Sequence, residues 1–171
     1  MQVILVDENR LVTDAWHVAF ASHPEVRILN ENILNVPADA VVSPANSAGF
    51  MDGGIDRAYL QYFGPSIQQT ISRCISARPE GHLPIGASVL VHTGHAQIPY
   101  LIAAPTMLMP EVIPKENVYR SFRAALRIAK QNADVIQTLC CSGMGTGLGA
   151  VEPKIAASEM ASAYNDWKNK K

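Results

Sequence analysis

Short apolar runs alternate with amphipathic stretches along the chain. Gln2 to Val6 is a β-rich apolar run closed by the polar Asp7-Glu8-Asn9, and Leu11 to Ala21 then sets Leu11, Ala15, Val18 and Ala19 at helical spacing. After Pro24, Glu25 to Leu29 reads as a second strand, Asn30 to Asn35 as a loop or edge, and Ala40 to Ser43 as a buried strand. Beyond Asp56, one apolar face formed by Ala58, Tyr59, Tyr62 and Phe63 continues past Gly64-Pro65 in Ile67, Ile71, Cys74 and Ile75. Two helical pieces follow, with Gly64 capping the first and Pro65 opening the second. Gly81 to Gly86 is a connector, and Ala87 to His92 and Tyr100 to Ala104 are strands around a Thr93-Gly94 turn. Asn117 to Asn132 is the clearest helix: Val118, Phe122, Ala125, Leu126 and Ala129 form its apolar stripe, and Arg120, Arg123, Arg127 and Lys130 its solvated face. Val135 to Cys141 is the last strand, and Pro153 opens a last helix that buries Ile155, Ala156, Met160, Ala163, Tyr164 and Trp167. This alternation predicts an α/β protein: a three-layer α/β/α sandwich around a central mixed, mostly parallel sheet.

Composition narrows the class. A chain of 171 residues suits one domain, spanning 1–171, with a full core. Apolar residues make up 48% and charged residues 17%, with no low-complexity tract. The formal net charge of −1 argues against nucleic acid as a partner, because that affinity needs a dense basic surface. A small anion held by main-chain N–H groups stays open. No apolar run approaches the roughly 20 residues that span a bilayer, and the N-terminus has no signal-peptide pattern, so a cytoplasmic protein without a membrane partner is expected. Three cysteines, two of them adjacent, define no disulfide framework.

Two loops carry the candidate chemistry, each following an apolar strand and preceding a helix. In the first, from Val41 to Asp56, Asn46 supplies an amide that both donates and accepts, Gly49, Gly53 and Gly54 let the main chain approach a ligand, and Asp56 places a carboxylate at the helix start. The tips of strands are where open α/β sheets bind ligands. The second loop, Gly143-Met144-Gly145-Thr146-Gly147-Leu148-Gly149, has glycine at every other position. It reads either as a phosphate cradle, aided by the dipole of the helix near Pro153, or as a flexible connector, and four glycines favour the cradle. Gly145 to Ala150 also fits the dinucleotide fingerprint G-x-G-x-x-G/A. That fingerprint needs a further strand and an acidic residue about 20 positions on, and the sequence ends within that distance.

The pair of loops resembles the macro domain, an ADP-ribose-binding α/β/α module. Members typically read G-D-I-T, then V-D-A-I-V-N-A-A-N, a glycine-rich run and V-D. Here stand Glu31-Asn32-Ile33-Leu34, then Ala38-Asp39-Ala40-Val41-Val42-Ser43-Pro44-Ala45-Asn46 and Gly53-Gly54-Ile55-Asp56, ungapped from Asn32 to Asn46. Pro84-Ile85-Gly86-Ala87 resembles the family's P-x-G-x-A, Tyr119-Arg120-Ser121 its Y-R-S, and Gly143 to Gly149 its phosphate loop, so the resemblance covers Val26 onward.

The resemblance implies binding of ADP-ribose or of an ADP-ribosylated protein, with no cofactor and no metal. It implies that Asn32 and Ile33 meet the base and that Ala45 and Asn46 meet the distal ribose. Gly53, Gly54 and Ile55 would press main chain against ribose and diphosphate, and Ser142, Gly143, Met144, Gly145, Thr146, Gly147, Leu148 and Gly149 would wrap the phosphates. Asp56 falls where hydrolytic members place an acid near the anomeric carbon; it either orients an attacking water, with Asn46, or caps a helix starting at Arg57. The implied activity is hydrolysis at the distal ribose of a mono-ADP-ribosylated acceptor, an O-acyl-ADP-ribose or ADP-ribose-1''-phosphate; the alternative is a non-catalytic reader.

Three departures from the family pattern stand out. Asn32 replaces an aspartate that accepts from the adenine amino group. Ser43-Pro44 replaces asparagine and alanine. Met51-Asp52 makes the pocket near the distal ribose bulkier and more acidic, with Asp52 either a second catalytic carboxylate or an exposed loop acid. His92 and His95 have a metal-like spacing but no carboxylate or thiol nearby, and Cys140 and Cys141 read as buried strand-end thiols.

Overall fold

The computed structural model describes residues 1–169. Six strands, β1 (Gln2–Val6), β2 (Arg27–Leu29), β3 (Ala40–Ser43), β4 (Val89–His92), β5 (Tyr100–Ala103) and β6 (Thr138–Cys141), form one sheet in the order β2-β1-β6-β3-β5-β4. Every pairing is parallel except β4 with β5. Five helices cover it: α1 (Arg10–Ala19), α2 (Gly54–Phe63), α3 (Ser66–Ser76), α4 (Glu116–Gln131) and α5 (Pro153–Asn169). The three-layer, mostly parallel sandwich expected from the alternation is the fold observed.

Strand alternation divides the core. Val3, Leu5, Ala40, Val42, Leu139 and Cys141 face α1, α4 and α5, whereas Ile4, Val6, Val41, Leu101 and Cys140 face α2 and α3. The adjacent cysteines thus lie on opposite faces, as their spacing requires.

The stripe of α4 is buried as expected, but α1 is turned from its expected phase. Leu11 and Val18 are exposed, and Val12, Ala15 and Trp16 are buried. Both sets have helical spacing, and burying the indole of Trp16 removes more apolar surface than burying Leu11 and keeps the helix in this phase. On α5, Ile155 is exposed while Ala156, Met160, Ala163 and Tyr164 are buried. Val135 and Ile136 belong to the turn before β6 and not to the strand, and Ile33–Asn35 forms a 3₁₀ turn where a loop or edge was expected.

The motif aspartate Asp39 holds the sheet in register. Its Oδ2 accepts from the N–H groups of Gln137 (2.9 Å) and Thr138 (2.8 Å), fixing the start of β6 beside β3. Asp39→Ala strands two donors and is expected to cost about 2 kcal/mol of stability, read from the urea midpoint at unchanged m-value.

Candidate functional site

The C-terminal tips of four adjacent strands, β1, β6, β3 and β5, open into one cavity of about 400 Å³. Both sequence-predicted loops border it. A methyl group added at Gly53 would lie 3.5 Å from Leu148 Cδ1, so the first loop and the glycine loop close against each other.

Asn46 folds the first loop from within. Its Oδ1 accepts from Ala48 N and Phe50 N, each at 3.2 Å, and its Nδ2 donates to Phe50 O at 2.9 Å. One Nδ2 hydrogen remains for a ligand. The β5–α4 connection is fastened alongside: Ser47 N donates to Met107 O, Thr106 Oγ1 to Pro44 O, and Asn117 Nδ2 to Thr106 O, each at 2.9 Å. Gly49 adopts φ +78° and a Cβ there would lie 2.7 Å from Ile75 Cδ1, so the loop lies tight on α3 only because this residue is glycine.

The first loop runs into α2, which starts at Gly54, not at Arg57. Gly53 is its N-cap and Asp56 sits inside the first turn, so Asp56 is not a cap. Its carboxylate instead accepts a hydrogen bond from Ser43 Oγ at 2.5 Å, beneath the cavity it lines. It is 7% exposed. Burial pushes its pKa up to about 7, the Ser43 hydroxyl opposes that rise, and the charge of the exposed, cavity-lining Asp52 adds to it. A carboxyl group poised near neutrality beside a cavity has the protonation behaviour that acid–base chemistry uses.

The N-terminus of α2 supplies a helix-dipole end: Gly54, Ile55 and Asp56 all line the cavity. Residues near Pro153 do not, so the dipole expected from the last helix comes from α2. In the glycine loop, Gly145, Thr146, Gly147 and Leu148 line the cavity, and among the described residues nothing accepts from their main-chain N–H groups. Gly149 and Ser142 line it too, and Ser142 Oγ is buried without a partner. Gly143 differs, because its N–H already donates to Asp7 Oδ2 at 3.0 Å.

Met144, expected among the groups that wrap the phosphates, does not line the cavity. Its side chain is fully buried in the core with Val118, Phe122 and Met160, where it anchors a loop whose other large side chain, Leu148, is exposed. Met51 behaves likewise; it is fully buried against α3, and the bulkier pocket expected from it is absent. At the other end of the cavity, Ile33 and Asn32 border the opening, and Asn32 Oδ1 accepts from Leu34 N at 2.9 Å.

The sequence reading missed Asp7 and Glu8 at the tip of β1, and Phe50, Thr106, Met107 and Pro110. The strand-tip rule applied to β1 would have found the first two. Phe50 lies within the first candidate loop itself, and Thr106, Met107 and Pro110 depend on how the β5–α4 connection crosses the sheet, which no local pattern encodes.

His92 packs at a tilt against Tyr100 (4.4 Å between centroids) and His95 against Tyr62 (4.8 Å), so each is held by an aromatic neighbour. Burial pushes the Cys140 thiol up to about 12 and that of Cys141 well above its usual range, which makes both inert at neutral pH. Among the described residues no helix is long and apolar enough to cross a membrane.

A strand-tip cavity between a glycine loop and a helix N-terminus, on this sheet order, defines a class, and comparison with known proteins agrees with it. The macro domain family model matches residues 42–160, and the chain belongs to that family. It is 31% identical over 147 residues to an uncharacterized protein of Aquifex aeolicus, covering 85% of this chain and 84% of that one. In structure it is similar to the macrodomain of Mycobacterium tuberculosis DarG, with a TM-score of 0.69 at 18% identity, covering 80% of this chain and 87% of that one. It is also similar to a macrodomain variant of Oceanobacillus iheyensis solved with ADP-ribose, with a TM-score of 0.68 at 16% identity, covering 80% and 74%.

Proposed function

We propose that the cavity binds ADP-ribose and that the protein hydrolyses a bond at its distal ribose, releasing ADP-ribose from a mono-ADP-ribosylated acceptor, an O-acyl-ADP-ribose or ADP-ribose-1''-phosphate. The observation that carries this reading is the carboxyl of Asp56, poised at about 7 on the cavity floor within the first turn of α2. The diphosphate lies between the free N–H groups of Gly145 to Leu148 and the start of α2, so the lack of Lys, Arg or His among the described residues that line the cavity is no obstacle. Asn46 uses its remaining N–H on the distal ribose, Asp56 takes a proton from the attacking water, and Asn32 and Ile33 meet the base. Buried thiols and the absence of disulfides suit a reducing compartment, and we place the protein in the cytoplasm.

Incubating the protein with a mono-ADP-ribosylated substrate and measuring released ADP-ribose tests the reaction. Stoichiometric capture without release would favour the second reading, a non-catalytic reader. That reading draws support from the inward bond of Asp56 to Ser43, which occupies one carboxylate oxygen.

Asn32 gives a separate prediction at the base. Its Oδ1 is committed to Leu34 N, which leaves Nδ2 donors where adenine presents its own amino donor. Asn32→Asp keeps the cap and restores an acceptor, so it is expected to tighten ADP-ribose binding roughly tenfold by calorimetry. Unchanged affinity would show that Asn32 does not meet the base.

A further inference from the structure

One side of the cavity's opening carries exposed apolar side chains. Phe50 and Leu148, which line it, are 52% and 62% exposed, and Leu108, Met109 and Val112 on the β5–α4 connection are 52%, 54% and 74% exposed. Of the remaining exposed large apolar side chains, Leu11 and Val18 share α1 and the others lie one to a segment, as on any globular surface. Five from three loops around one opening are a different matter.

Main-chain bonds make this collar continuous with the cavity. Phe50 is bonded through both its N–H and its carbonyl to the side chain of Asn46. Ser47 N holds Met107 O at 2.9 Å, and Ile113 N donates to Gly149 O at 3.0 Å. Residues 108–112 therefore run from the Asn46 loop to the glycine loop along the outer edge of the opening. A free nucleotide diphosphate ribose filling the cavity leaves Leu108, Met109 and Val112 uncovered, because they do not line it. Something attached to the distal ribose would cover them. The charges limit what that is: Asp7, Glu8, Glu31 and Asp52 line the cavity and no basic residue is among the described lining, so an acidic segment is repelled.

Resting on the reading above, we infer that this collar docks the polypeptide flanking an ADP-ribosylated residue, and that it selects a flanking segment rich in aliphatic or aromatic side chains. The modified residue leaves the cavity beside Phe50, and the chain next to it crosses residues 108–112. Burying two or three such side chains on each partner gains roughly tenfold or more in affinity after the cost of ordering the segment.

The test uses peptides carrying one ADP-ribose through a non-hydrolysable linkage, flanked by Leu and Phe, by Asp and Glu, or by Lys and Arg, with free ADP-ribose as reference. Calorimetry is expected to show the apolar-flanked peptide binding about tenfold tighter than ADP-ribose, and the acidic-flanked peptide no tighter. In the double variant Leu108→Ser, Met109→Ser that gain disappears while affinity for free ADP-ribose is unchanged, which also shows that the variant folds. Equal affinity for all three peptides, or tightest binding of the basic-flanked one, overturns the inference and leaves the cavity reading standing. Failure of free ADP-ribose and of every peptide to bind overturns both.

Discussion

Replacing Asp56 by Asn is expected to slow release of ADP-ribose by about 10²-fold or more while free ADP-ribose still binds within about threefold of the wild type. The amide fills the same space and can still accept from Ser43, but it takes no proton from water. A base with a pKa of about 7 also sets the wild-type profile: turnover rises as pH increases through about 7 and then levels.

The same substitution has a stability signature of opposite sign. Because the folded pKa lies above the ordinary 3.8, the folded protein holds a proton that the unfolded chain releases between those values. The stability that goes with it is complete below about pH 4 and is lost as pH rises through about 7; an ionised Asp56 then costs the fold about 4 kcal/mol at pH 8. Asp56→Asn is therefore expected to melt above the wild type at pH 8, and the gap is expected to narrow toward about pH 5. A variant that loses turnover and also melts lower at pH 8 would mean that Asp56 is structural.

Gly149→Ala is the second large effect. A Cβ there would sit 2.7 Å from Gly145 O and 3.0 Å from Ile113 Cγ1; the nearer atom is backbone, so the loop itself has to open. Opening moves the free N–H groups of Gly145 to Leu148 away from one another. Losing two hydrogen bonds to a charged group, at roughly 1.5–3 kcal/mol each, weakens ADP-ribose binding by about 10²-fold or more. At Gly147 a Cβ meets nothing within 4 Å, so Gly147→Ala is expected to leave the melting temperature unchanged. Wild-type affinity in Gly149→Ala would show that the loop is a connector and not a cradle.

The layers of the fold were legible because apolar runs and amphipathic stretches differ in period, and the two site loops because small and amide residues break those periods. Phase was less legible. Leu11 and Val18 match a helical stripe as well as Val12 and Trp16 do, and only the packing of α1 against the sheet and α5 separates them. Within the glycine loop, spacing identified the segment but not which side chain leaves the cavity, and Met144 turns inward because the loop needs an anchor. At Asp56 the residue type left both a cap and a reactive acid open. The start of α2 at Gly54 removes the cap, and the bond to Ser43, 13 positions earlier on β3, forms only once strand and helix are side by side.

The most direct measurement of the central claim is a calorimetric titration of the wild-type protein with ADP-ribose at neutral pH. Saturable one-to-one binding that Gly149→Ala weakens and Asp56→Asn spares is the predicted result. No heat at about millimolar ADP-ribose, with the protein shown to be folded, would contradict it.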